Sequence, residues 1–134
     1  MQPFASSSPA ARASALEAGI WSLAGVQLFL GLWQAALPGR FYDVLAHFGA
    51  RNDHFLRDVS TYFLASGIAL AIAARRPSWR APVLAVVGFQ YALHALNHLL
   101  DIGKADPSWV GPFDFVSLAL GVLLIGWLYR EASR

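Results

Sequence analysis

Cysteine is absent from this chain, which excludes a disulfide framework, a thiol nucleophile and a cysteine metal site. Charge is scarce. Asp, Glu, Lys and Arg make up 13% of residues, against about 25% in an ordinary globular domain. The pI of 9.4 rests on a net charge of only +2, and no run of basic residues forms the stripe that nucleic acid requires. There is no G-x-S-x-G elbow, no G-x-G-x-x-G and no P-loop. Hydrolytic catalysis and nucleotide cofactors therefore find no support, and the sequence leans away from an enzyme.

What remains is apolar. Hydrophobic residues are 57% of 134 and mean hydropathy is +0.48. Small domains bury the smallest fraction of their chain, so a soluble protein of this size could not hide that much apolar surface. The composition implies a single-domain integral membrane protein whose main partner is the lipid bilayer. Disorder is excluded on the same ground.

The chain divides into four apolar segments. Residues 1–16, rich in Ser, Ala and Pro, read as a flexible tail. Ala18 to Leu37 is long enough to cross a hydrocarbon core of about 30 Å. It is too long for a signal-peptide core, and Glu17 stands where a basic region would precede one. Pro38-Gly39 ends it. Phe41 to Phe48 is short and amphipathic, with Phe41, Val44, Leu45 and Phe48 on one face, and is expected to lie flat at the interface. Asn52 or Asp53 caps the next helix, which Arg75-Arg76-Pro77 stops. Pro82 opens the third, and Pro112 suits the first turn of the fourth. The expected spans are about 17–37, 54–74, 81–101 and 112–129, in one domain over 17–130. Helices and closed barrels are the only spanning solutions, so the fold expected is an all-α membrane four-helix bundle.

Charge orients it. Arg12, Arg75, Arg76, Arg80, Arg130 and Arg134 fall on the side of the termini, whereas Arg40, Arg51, Arg57 and Lys104 fall on the other. The compact Arg75–Arg80 turn decides for cytoplasmic termini in a multi-pass protein of the cell membrane. Trp21, Trp79 and Trp127 would mark the inner interface, and Trp33 and Trp109 the outer. All six aspartates lie on the outer side. Ala65, Ala69 and Ala73, and Gly88, Ala92 and Ala95, form small-residue rows expected to be helix–helix contacts.

Ionisable residues in spans are costly and mark function by default. The third span carries His94, His98 and Asp101 on one face, with Tyr91 extending it. The second carries His54 and Asp58, four apart, then Thr61 and Tyr62. The two helices run in opposite directions, so both sets reach the outer end, where Asp114 and Gln34 also lie. Two imidazoles four apart on a helix can face one cation, with a carboxylate completing the set. His54, Asp58, His94, His98 and Asp101 are therefore candidate ligands for a transition metal or haem. Gln34, Arg57, Tyr62, Tyr91 and Asp114 are supporting polar residues. A network that only fixes helix register uses the same residues, with Asp114 near N3 favouring free N–H groups and Asp53 pairing with Arg57. A proton or small-molecule site is the third reading, although the inner halves of the spans are almost purely apolar and offer no through-path. Gln27 and Gln34, seven apart, share a face of the first span, where they either line the interior or bond across helices, and His47 belongs to the interface loop. A membrane protein partner or a second copy of the chain fits an accessory role.

The segments F-Y-D (Phe41–Asp43), N-D-H-F-L-R-D (Asn52–Asp58) and H-A-L-N-H (His94–His98) resemble a group of small bacterial four-helix membrane proteins. Their pattern runs F-Y-D, N-[D/E]-H-x-x-R-D-x-G and a late H-x-x-x-H. The helix layout over residues 18–130 is also similar to the broader DoxX-like set, which implies a quinone-linked or redox accessory role. Ser60 replaces the glycine of the pattern, and Ala50-Arg51 a common Pro-Tyr. The resemblance implies fold and motif positions and no reaction.

Overall fold

The computed structural model describes residues 8–134, and these form five helices without a strand. They are α1 (Pro9–Ala36), α2 (Pro38–Leu45), α3 (Asp53–Arg75), α4 (Pro77–Leu100) and α5 (Val110–Ala132). All but α2 are long and apolar enough to cross a membrane. The shortest of these have 23 residues, about 34 Å at about 1.5 Å per residue. The protein is a multi-pass membrane four-helix bundle, as its composition requires.

Two boundaries differ from expectation, each for a local reason. Ser8 accepts from the Ala11 N–H and Pro9 takes the first helical position, so α1 begins well inside the expected tail; residues 1–7 lie outside the described residues. Pro77, not Pro82, opens α4, leaving Pro82 inside the helix. Proline at the first position costs no hydrogen bond, so the turn after α3 shrinks to Arg76 alone. Arg80 then donates to the carbonyls of Ala73 and Ala74, at 3.2 and 2.9 Å. Its guanidinium satisfies the free end of α3.

The bundle is assembled from two closely packed antiparallel pairs. α1 lies along α3 and α4 along α5, and the pairs meet less extensively through α3 with α4 and α1 with α5. The α1–α3 seam is reciprocal. A Cβ on Gly31 would lie 3.0 Å from the Leu64 backbone nitrogen, and one on Gly67 the same distance from that of Leu28. Here the two backbones nearly touch, as small residues permit in lipid. In the other pair, the Tyr91 ring lies over Gly121, where a Cβ would come within 2.5 Å of it. The alanine row of α3 behaves differently. Ala73 is buried, but Ala65 is exposed and Ala69 only half-buried. Ala65 and Ala69 line an open groove between α3 and α4 and are not a packing seam.

The half of the bundle that holds the termini is closed by Ile20, Leu70, Leu84, Ile125 and Leu128, each 1% exposed or less. At the opposite end the pairs diverge, and α2 with the loop behind it covers the gap. Trp33 and Phe41 meet edge to face at 5.3 Å and fix α2 to α1. The Arg51 guanidinium lies on Gly39 and pairs with Asp53 through two bonds of 2.5 and 2.9 Å. That bond holds the guanidinium above its ordinary pKa. The Asp106 N–H donates to the His47 carbonyl at 3.1 Å, joining this cover to the loop before α5.

Candidate functional site

Between the two pairs, under α2, lies a cavity of about 590 Å³, within the usual range of about 300–1,000 Å³ for small-molecule sites. Its walls are mainly apolar and aromatic, including Trp33, Phe41, Phe48, Phe63 and Phe113. Its polar groups come chiefly from α4 and α5. Gln90, His94 and His98 recur every four residues on α4, so they stack along one face. Gln90 Nε2 lies 3.4 Å from His94 Nδ1, and His94 Nε2 lies 3.1 Å from His98 Nε2. His98 Nδ1 faces Asp114 Oδ2 on α5 at 3.7 Å.

With Asp114 ionised and both rings neutral, one set of protons serves this whole row. His98 carries its hydrogen on Nδ1, toward Asp114. His98 Nε2 is then an acceptor, so His94 donates from Nε2. His94 Nδ1 accepts in turn from the Gln90 amide. The assignment follows from the partners of each nitrogen, since a neutral imidazole has one donor and one acceptor.

Four buried atoms around the cavity make no hydrogen bond: Gln34 Oε1, Gln90 Oε1, His98 Nδ1 and Asp114 Oδ2. Gln34 is 2% exposed. Gln27, two turns earlier on α1, is buried with neither side-chain atom bonded. Buried polar groups without partners are rare and cost about 1–3 kcal/mol each. Four at one cavity mark a place built to contact something polar. Asp114 is the fifth residue of α5, beyond the first-turn N–H groups that the capping reading would give it.

The second polar set does not join the first. His54 and Asp58 pair with each other at 3.4 Å, with side chains 87% and 66% exposed, on a face of α3 that turns away from the cavity. Opposed helix directions bring the two sets to one depth, but depth leaves rotation about the axis free. α3 presents Leu56, Val59 and Phe63 to the cavity instead. Asp101 pairs with Lys104 at 2.7 Å. Asp53 takes Arg51 rather than Arg57, whose side chain is on the exposed face. Tyr62 lines the outer groove. Of the five candidate ligands, only His94 and His98 meet. Two imidazoles fall short of the three or four protein ligands of a zinc site. Among the described residues no group of three or more His, Cys, Asp or Glu could hold a metal ion. Gln34, Tyr91 and Asp114 do reach the cavity.

Two participants escaped the sequence reading. Gln90 was legible, four residues before His94. Phe48 was not: it lies beyond the end of α2, and its ring meets His98 edge-on at 5.0 Å because the loop folds back. Tyr42 Oη donates to the Gly49 carbonyl, and its ring packs on His47 at 4.6 Å. Gly49 takes a φ of +99°, which L side chains rarely adopt.

Comparison with known proteins returns no match, whether to a family model, a curated protein or a solved structure. Fold and cavity define the chain as a small integral membrane protein with a buried polar cluster near one end of its bundle.

Proposed function

We propose that this protein is a membrane accessory protein that binds one small lipid-soluble molecule in the cavity beneath α2, without turning it over. The observation that carries the proposal is the gathering of four unbonded buried polar atoms, from α1, α4 and α5, at one mainly apolar cavity. Aromatic walls hold hydrocarbon, and a few convergent polar groups fix a head group. A network kept only for helix register would satisfy its own members, because a half-satisfied network is worse than an apolar core. The DoxX-like resemblance supports an accessory role. The arginines of the Arg75–Arg80 turn and of the C-terminus support cytoplasmic termini, with the cavity at the far side.

Titration calorimetry of the purified protein in maltoside tests the binding. The probes are para-butylbenzyl alcohol and para-butylbenzylammonium, each referenced to protein-free micelles. At least one should bind the wild type, and Val59→Trp, which fills the cavity from α3, should abolish that binding. If neither probe binds, or Val59→Trp binds as well as wild type, the proposal fails.

A further inference from the structure

Resting on that reading, we propose that the molecule bound is a lipophilic organic ammonium, its N–H groups directed at Asp114. Three observations converge. The first is charge. Asp114 is 13% exposed at its side chain and, among the described residues, is the only acidic one lining the cavity, where no described Lys or Arg accompanies it. The ionisable group facing it is His98, at 3.7 Å. A carboxylate in a membrane interior is costly unless a cation meets it.

The second is the sign of the unused hydrogen-bonding capacity. Each member of the Gln90–His94–His98 row directs one hydrogen at the next, and the last points at Asp114. Three of the four buried atoms left without a partner around the cavity are acceptor oxygens: Gln34 Oε1, Gln90 Oε1 and Asp114 Oδ2. A neutral carbonyl ligand would leave the charge of Asp114 unmet, and an anion would confront it. A primary ammonium brings up to three donors and the complementary charge.

The third is the wall. The rings of Trp33, Tyr42, Phe48 and Phe113 line the same space, and aromatic faces attract organic cations while tolerating their hydrocarbon. Gln34 supports the assignment independently of Asp114. It is almost wholly buried, it comes from the opposite helix pair, and its unbonded atom is also an acceptor.

The experiment compares isosteric probes on the full chain in maltoside: para-butylbenzylammonium, para-butylbenzyl alcohol and para-butylbenzoate. The ammonium should bind about tenfold more tightly than the alcohol, since charge-assisted bonds are roughly twice as strong as neutral ones and tenfold is about 1.4 kcal/mol. The benzoate should not compete. Asp114→Asn should erase the preference for ammonium over alcohol, and Asp114→Glu should keep it. Gln34→Leu retains the carboxylate and removes one acceptor, so it should weaken the preference and serves should Asp114→Asn fail to fold. Equal affinities of ammonium and alcohol in wild type, or a preference that survives Asp114→Asn, would overturn the ammonium assignment and leave cavity binding standing. Absence of binding by either probe overturns both.

Discussion

The Phe48 ring stands edge-on to the His98 imidazole, centroids 5.0 Å apart and planes at 82°. A loop residue thus closes directly on a residue of the polar row, and the same loop residue lines the cavity. The cover under α2 is consequently part of the site and not merely a connection.

Removing that contact should loosen the cover. An edge-to-face pair contributes about 0.5–1.5 kcal/mol, so Phe48→Ala should raise the open population roughly two- to tenfold. Because the chain has no cysteine, a single cysteine at Val59, half-buried on the cavity wall, reports access without background. Its labelling rate by a small neutral thiol reagent should rise by that factor in the Phe48→Ala protein. An unchanged rate would mean that the loop does not control access.

The glycines should separate into two groups. Gly31→Ala and Gly67→Ala place a methyl 3.0 Å from backbone nitrogen across the seam and should destabilise by about 1–3 kcal/mol. Gly25 and Gly126 have no atom within 4 Å of the same added methyl, and alanine there should be close to neutral. Thermal unfolding in detergent measures both. Equal effects in the two groups would show that the seam does not hold the α1–α3 pair together.

The histidines should behave as hydrogen-bonding groups. Their bonds run along α4, so His94→Gln and His98→Gln should each lower stability by no more than about 0.5–1.5 kcal/mol, the net contribution of a protein hydrogen bond. Cobalt(II) added to purified wild-type protein should produce no visible ligand-field absorption at stoichiometric loading. A band that disappears in both His94→Ala and His98→Ala would instead establish a metal site on this pair.

For orientation, a cysteine at Ser78, in the first turn of α4, should resist an impermeant thiol reagent in intact cells, and one at Ser108 should be labelled. The positive-inside bias of the Arg75, Arg76 and Arg80 cluster sets this expectation. The reverse pattern would put the cavity at the cytoplasmic end.

The spans were readable because hydropathy over about 20 residues needs no tertiary information, and the row on α4 because helical spacing fixes a shared face. The rotation of α3 was not readable. His54 and Asp58 are as regularly spaced as His94 and His98, yet they face outward because Gly67 and Leu64 lock the α1 seam and turn Leu56 and Phe63 inward. A helix with polar groups near its end can leave them at a headgroup boundary without penalty, so pattern alone could not choose the face. The Ala65–Ala69–Ala73 row misled for a related reason. Small residues permit close approach without compelling it, and the approach was taken by Gly31 and Gly67. The cover from α2 to Asn52 depends on contacts such as Phe48 with His98 and Asp106 with His47, which join residues far apart in the chain.

Two tight helix pairs with a thinner junction between them have a thermodynamic corollary. The cavity opens into that junction, so a guest seated there acts as mortar between two prefabricated walls. Occupancy and durability become one quantity read in two ways: a guest at a hundred times its dissociation constant adds about 2.7 kcal/mol to the folded state. Stripping the protein of lipid-soluble material during purification would then resemble a destabilising mutation, and restoring the guest would look like its reversion.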